Sequence, residues 1–279
     1  MTISYVKVEN YRNIDGIEVT FNSECNYIIG ENNIGKSNFL SLLTTICSGK
    51  GFDEKDFADP EKPIEVEVNI KLLPYEQGFF GDNFSPEDAS LLKIRYHQTI
   101  RETYPTIVSA NSNESIPSKQ LRKLNFLKYE TKSVLFEDLL YTNSDGKKLL
   151  PLILSIDEPE VHLHPYLQRS LIGYFKRILC NEDAEFMDLL KTLFNVDGIS
   201  GQLIIVTHST DILIGDYRNL IRFYKKQEKT SAISGYIIGI IIIFVIAVGA
   251  PLLINGLNAW VGADAGAEGA SIAAAMLKA

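Results

Sequence analysis

Hydrophobic and polar positions alternate along three stretches in the first quarter of this 279-residue chain. Residues 3–8 (ISYVKV) and 17–21 (IEVTF) alternate with the period of two that puts one face of a strand against a core, and the turn signal Asp15-Gly16 between them predicts a hairpin. IEVEVNIKL at 64–72 repeats the pattern as an amphipathic strand. Three other stretches are continuously apolar: CNYIIG at 25–30, LLPLILSIDE at 149–158 and GQLIIVTHS at 201–209. Such runs suit strands buried on both faces of a parallel sheet. After two of them the period lengthens to that of a helix. Phe39, Leu40, Leu42, Leu43 and Ile46 fall on one face, as do Leu167, Leu171, Tyr174, Phe175 and Ile178 within 165–180. Strands alternating with helices around apolar central strands predict an α/β fold.

The connecting text is less regular. Residues 49–63 are rich in Gly, Asp, Glu, Lys and Pro and predict a loop, and 74–118, with the polar run SANSNESIPS, predicts a loop-rich insertion. Residues 64–130 are therefore expected to form an inserted β subdomain within a domain of 1–228. KQLRKLNFLKYETK at 119–132 interleaves basic residues with Phe126 and Tyr129. That composition fits either a nucleic-acid contact, in which cations hold phosphates and rings stack on bases, or a solvated strand or helix edge. Residues 229–235 read as a linker, and 236–254 (YIIGIIIIFVIAVGAPLLI) form nineteen residues without a charge. About 20 apolar residues cross a bilayer as a helix, so a transmembrane helix is expected here, with a buried soluble helix as the alternative. Lys225, Lys226 and Lys229 precede the run, Asp264 and Glu268 follow it, and the positive-inside pattern places the N-terminal domain in the cytoplasm. An Ala/Gly-rich tail occupies 255–279.

Composition narrows the classes. A formal charge of −8 argues against a protein that coats nucleic acid by bulk electrostatics. Three widely spaced cysteines, Cys25, Cys47 and Cys180, fit neither a disulfide framework nor a CxxC metal site and read as reduced thiols. The N-terminus lacks a basic region followed by an apolar run, so no signal peptide is expected.

The chemistry concentrates in two places. GENNIGKS, Gly30–Ser37, matches G-x-x-x-x-G-K-[ST] between an apolar strand and a helix. The glycines let backbone N–H groups of Gly30, Glu31, Asn32, Asn33, Ile34 and Gly35 surround phosphate oxygens. The helix N-terminus, with Lys36, Ser37 and Asn38, adds positive charge. Lys36 is expected to reach the β and γ phosphates of ATP and Ser37 to ligate Mg²⁺. The second place is LSIDEPEVHLHP, 154–165, where three acids, Asp157, Glu158 and Glu160, and two histidines within a dozen residues pose a choice between a metal centre and the second half of a nucleotide site. The phosphate loop favours the latter, with Asp157 on magnesium and Glu158 polarising the attacking water. His162 and His164 are then left for structure or subunit contact. His208, at the end of LIIVTHS, is placed to sense the γ-phosphate, although a histidine after an apolar strand is also a common packing or capping residue.

VENYRNI, GENNIGKSNFL, IDEPEVHLHP and IIVTHSTDIL, in this order, resemble the ATPase heads of the SMC and RecF-like branch of ABC ATPases, and most of all the OLD (overcoming lysogenisation defect) family. The resemblance spans about 1–48 and 119–228. It implies a P-loop ABC/SMC-type head that binds ATP through Gly30, Gly35, Lys36 and Ser37, holds Mg²⁺ with Ser37 and Asp157, and uses Glu158 as catalytic base and His208 as switch. It also implies pairing of heads in a homodimer or hetero-complex and DNA contact through a partner.

Three departures stand out. Such heads carry a serine-glycine signature at the start of a helix before the acidic strand, whereas NSDGKK at 143–148 lies too close to Asp157 and reads as a turn. The helical arm between motifs is nearly absent. The metal-binding acids of a Toprim nuclease do not follow residue 228, so a nuclease is not expected. Three functions therefore stand side by side: an ATP-hydrolysing OLD-type head acting in DNA transactions or phage defence, a membrane-tethered nucleotide-dependent regulatory module, and a remnant that binds ATP without turnover.

Overall fold

A computed structural model describes residues 1–74, 76, 80, 88, 90–124, 126–128, 140–161, 163–209, 219–226 and 229–235. The N-terminal alternation becomes the expected hairpin: β1 (Thr2–Glu9) pairs antiparallel with β2 (Ile17–Thr20), with Val6 opposite Val19 and Val8 opposite Ile17. On its other side β1 pairs with β4 (Ile64–Lys71), whose alternating buried and exposed residues carry out the amphipathic pattern. The sheet continues through β5 (Leu91–Gln98) and β6 (Thr106–Ser109) in the order β2-β1-β4-β5-β6. The loop-rich stretch 74–118 thus carries two strands, β5 and β6. The inserted strands satisfy the free edge of β1 and share its core. β5 was obscured in the sequence because Lys93, Arg95 and His97 break up its apolar positions while Leu92, Ile94 and Tyr96 point inward.

The second sheet has the order β12-β11-β3-β10-β9-β7, with β8 paired to β9. Its members are β3 (Cys25–Ile29), β7 (Phe126–Lys128), β8 (Tyr141–Thr142), β9 (Lys148–Asp157), β10 (Gly198–Val206), β11 (Leu220–Lys226) and β12 (Lys229–Ser234). β11, β3, β10, β9 and β7 run parallel, and antiparallel β12 and β8 flank them. The three continuously apolar runs are thus adjacent central strands. Residues 229–235, expected as a linker, instead contribute an edge strand. The segment 119–132 begins as helix α2 (Ser118–Leu121) and a 3₁₀ turn, buries Leu121 and Leu124, and enters the sheet as β7. Its outer residues 129–132 lie outside the described residues. NSDGKK is the turn of the β8-β9 hairpin, with Gly146 at φ +76°.

Helix α1 (Lys36–Ser48) lies in the largest core cluster. That cluster joins Val6 and Val68 of the antiparallel sheet to Ile28, Ile204 and Phe223 of the other. Covered from both sides, α1 buries Phe39, Leu40, Leu42, Leu43, Ile46 and Cys47. Phe39 meets Phe223 edge-on at 5.5 Å and stacks on Phe21 at 6.1 Å. Gln202 ties the sheets directly: its side chain accepts from the Ile3 amide at 3.0 Å and donates to the Ile3 and Asn22 carbonyls at 2.9 and 2.7 Å. A buried amide with all three bonds made holds register without the penalty of an unpaired polar group.

The opposite face of the parallel sheet carries α3 (Pro165–Leu179), with Ile172 in a cluster of Cys25, Tyr27, Ile156, Leu203 and Ile205. Pro165 at its first position and the His164 cap match the preference of helix starts. α4 (Ala184–Phe194), which the hydrophobic pattern did not single out, is capped by Asp183 and packs Leu190 beside Ile178 and Ile199. The run 236–254 and the tail 255–279 lie outside the described residues. Among the described residues no helix is long and apolar enough to cross a membrane.

Candidate active site

The order strand, loop, helix puts Gly30–Gly35 at the carboxyl edge of β3, where α1 points its N-terminus outward. Gly35, the N-cap of α1, sits at φ +111°, and a Cβ there would overlap Ile14 and approach Asn13. Gly30 lies so close to β11 that a Cβ would stand 2.7 Å from the Phe223 carbonyl. Neither position accommodates a side chain, which is why the loop needs glycine at both. Lys36 is only 5 % exposed, and its ammonium donates to the Gly30 and Glu31 carbonyls at 3.0 and 2.9 Å. Burial pulls its pKa below the ordinary lysine range, while the carboxylates of Glu158, Asp157 and Glu160 pull it back up.

Those carboxylates arrive through strand pairing. β9 and β10 run in register to Val206 opposite Asp157, and the Glu158 amide then donates to the Val206 carbonyl at 2.8 Å. Glu158 adopts φ +48°, a left-handed conformation costing a non-glycine residue about 1–2 kcal/mol. That strain turns its carboxylate out of the sheet, with its side chain 45 % exposed. Its Oε1 lies 3.5 Å from His208 Nε2. Asp157 behaves differently: its Oδ1 is buried without a hydrogen-bond donor. A carboxylate oxygen withheld from water and from donors is costly, and a hard divalent cation such as Mg²⁺ is the partner it fits.

A cleft of about 450 Å³ joins the two halves. Asn32, Asn33, Gly35, Lys36, Ser37 and Asn38 line one side and Glu158 and His208 the other. Lys36, Ser37, Glu158 and His208 thus line one cleft, whereas Asp157 is not among its lining residues. The Ile34 side chain is 2 % exposed and belongs to the core, which leaves its backbone for the loop. Gly30 and Glu31 border a neighbouring cleft of about 340 Å³ shared with His208 and Arg222. His164 caps α3, its Nδ1 accepting from the Tyr166 amide at 3.3 Å, which answers its structural reading. His162 lies outside the described residues. Among the described residues no group of three His, Cys, Asp or Glu side chains is arranged to hold a metal.

Several residues at the site carried no motif signal of their own. Asn13 lines the cleft, donates to the Asn33 carbonyl at 3.0 Å and accepts from Asn38 at 2.7 Å. Arg12 donates to Asn38 at 2.7 Å and forms a two-nitrogen pair with buried Asp56 at 2.8 Å. Thr230, in the supposed linker, donates to the carbonyls of Asn13 and Ile34 at 3.0 and 3.1 Å. The phosphate loop is therefore braced from the β1–β2 turn, α1 and β12 at once. Within VENYRNI the sequence offered only the position of Arg12 and Asn13, because these contacts span 20 to 217 residues.

Comparison with known proteins bears on the whole arrangement. A stretch of 83 residues is 31% identical to endonuclease GajA of Bacillus cereus (strain VD045), covering 28% of this chain and 14% of that protein. A stretch of 66 residues is 35% identical to the DNA replication and repair protein RecF of Rickettsia canadensis (strain McKiel), covering 24% of this chain and 18% of RecF. These matches span less than a fifth of either relative. Among solved structures, an SMC head bound to the C-winged helix domain of ScpA superposes with a TM-score of 0.55 at 11% identity, over 84% of this chain and 97% of that one. The SMC head domain from Thermotoga maritima gives 0.50 at 10% identity, over 84% and 99%. At such identities the likeness is one of fold, that of an ABC/SMC-type ATPase head. The profile described as "AAA ATPase domain" matches residues 1–149 and 119–213, which take in the phosphate loop, the acidic strand and His208 alike, and the chain belongs to that family.

Proposed function

We propose that the chain binds Mg-ATP in the cleft between the phosphate loop and the ends of β9 and β10, and hydrolyses it as an OLD-type head acting with a partner in DNA transactions. The observation that carries this reading is the meeting of Lys36 with Glu158 and His208 across one cleft. Lys36 holds the β and γ phosphates, and the loop amides surround them. Asp157, with its unpartnered buried oxygen, and Ser37 would hold Mg²⁺, which supplies charge neutralisation for the phosphates. Glu158 orients a water in line with the bond to the leaving ADP oxygen. As the water oxygen bonds to the γ-phosphorus, the bond to ADP breaks and Glu158 takes the proton, giving ADP and phosphate. His208 contacts the transferred phosphoryl group and reports its presence.

The OLD-type assignment rests on the order of the four motifs and is supported by the local similarity to GajA. Pairing of heads, in a homodimer or a hetero-complex, is supported by the shared fold of SMC heads. In this reading the head works in the cytoplasm. A second reading, in which 236–254 tethers the head to a membrane and ATP occupancy is signalled there, rests on the nineteen uncharged residues.

Full-length protein in detergent, titrated with ATP and Mg²⁺, tests the proposal. Micromolar binding that Lys36→Ala weakens at least about 100-fold, as loss of several charge-assisted hydrogen bonds implies, is the expected result. Equal binding by the variant would sink it. Sedimentation with vesicles, absent when 236–254 is deleted, separates the tethered form from a free one.

A further inference from the structure

Glu160 lies two residues beyond the proposed base, and its carboxylate makes a contact that the nucleotide chemistry does not require. Its Oε1 accepts the backbone N–H of His208 at 2.7 Å, across 48 residues of sequence. Its Oε2 is buried and has no hydrogen-bond partner. One oxygen is thus withheld from solvent while the other makes a strong bond, directed at the backbone of the residue whose imidazole faces Glu158. Charge-assisted bonds to backbone N–H groups are shorter and stronger than neutral ones, and 2.7 Å lies at the short end of that range.

A second tie runs parallel to the first. Gln168 on α3 is 7 % exposed and accepts from the Ser209 hydroxyl at 2.8 Å. Its amide nitrogen donates to the Leu163 carbonyl at 2.8 Å and, at 3.4 Å, to the carbonyl of Glu160 itself. Ser209 in turn donates its amide to the Thr207 hydroxyl at 2.9 Å. Two successive residues after β10 are therefore held by side chains from the segment after β9. β9 and β10 are already paired in register up to Asp157 and Val206, so this clasp extends their alignment past the end of the sheet, where no ladder can.

We propose that Glu160, seconded by Gln168, is a positioning residue that fixes the His208 backbone so that its imidazole meets Glu158 and the γ-phosphate. The inference rests on the ATPase reading above. What Glu160 contributes is an acceptor oxygen at one place, and neither its charge nor a proton enters the reaction. A loose His208 segment would leave ATP affinity with Lys36 and the loop, while spreading the imidazole over positions that do not stabilise the transferring group.

The test compares Glu160→Ala with Glu160→Gln in the full-length protein, reading kcat and KM for ATP together with hydrogen exchange of the 203–209 amides. Glu160→Ala is expected to lower kcat about tenfold with KM within about twofold and to speed exchange at His208, whereas Glu160→Gln, whose amide oxygen accepts the same N–H, recovers most of both. Equal loss in the two variants would overturn the proposal, since the charge and not the acceptor would then matter. Unchanged exchange at His208 in Glu160→Ala would overturn it as well. If Glu160→Ala does not fold, Glu160→Asp, which shortens the reach by one methylene, must raise the exchange and lower kcat at constant KM, and no change in either would overturn the proposal. Absence of turnover in the unmodified protein would sink the ATPase reading instead, and the exchange measurement would still decide whether Glu160 holds the His208 segment.

Discussion

The two sides of the cleft are built in opposite ways. The phosphate side is contiguous: Gly30 to Asn38 supplies loop, lysine and helix N-terminus in nine residues, and two glycines shape it locally. The side proposed for hydrolysis is assembled, with Asp157 and Glu158 from the end of β9, His208 from beyond β10, and Glu160 reaching across 48 residues. A contiguous site tolerates errors elsewhere in the fold as long as its own backbone is intact. An assembled site depends on register, because a shift of one residue between β9 and β10 would part Glu158 from His208. Binding and hydrolysis should therefore fail separately.

The largest separation is expected from the carboxylate that lacks a donor. Asp157→Asn keeps the shape of the strand end but removes the charge that fits a divalent cation, so turnover should fall about 100-fold and the dependence of turnover on Mg²⁺ concentration should shift upward. An unaltered Mg²⁺ titration would remove Asp157 from that role. Next is the loop itself: Gly35→Ala forces a Cβ against Ile14 at a strained φ and should cost about 2 kcal/mol in thermal unfolding, with ATP affinity down by more than tenfold. A variant with native melting and affinity would show that the loop can relax where the geometry says it cannot. His208→Ala should act on the other side alone, lowering kcat about tenfold at nearly constant ATP affinity. The smallest effect belongs to the distant brace: Thr230→Val removes, at constant volume, the hydroxyl whose one proton is shared between the carbonyls of Asn13 and Ile34, and should weaken ATP binding about threefold, readable by calorimetry.

The same contrast explains what could be read from the sequence. The phosphate loop, the central apolar strands, the N-terminal hairpin and the start of α3 are local patterns, and they stand where the periods place them. Residues 64–128 were harder because their strands pair with β1 and β9, partners that no local pattern names. β12 looked like a linker for a similar reason: KTSAIS has neither a strong alternation nor an apolar run, and it is a strand because β11 offers it an edge. At the site, Lys36, Glu158 and His208 announced themselves through motifs. Arg12, Asn13 and Glu160 lie within VENYRNI and IDEPEVHLHP, but their roles, like that of Thr230, did not show, since each acts through a hydrogen bond to a backbone or side chain distant in sequence.

β8 and β9 form a hairpin through Asn143–Lys147, so NSDGKK is a turn that delivers the chain directly into the acidic strand. Residues 129–139, which precede that hairpin, lie outside the described residues.

The most direct measurement is therefore ATP binding and steady-state ATP hydrolysis recorded side by side for the unmodified chain and for Glu158→Gln. The account predicts that both bind Mg-ATP with similar affinity and that only the unmodified protein turns it over, Glu158→Gln falling by about 100-fold or more. Equal turnover by the two proteins, or loss of binding in the variant, would contradict the separation of the binding and hydrolytic halves of the cleft.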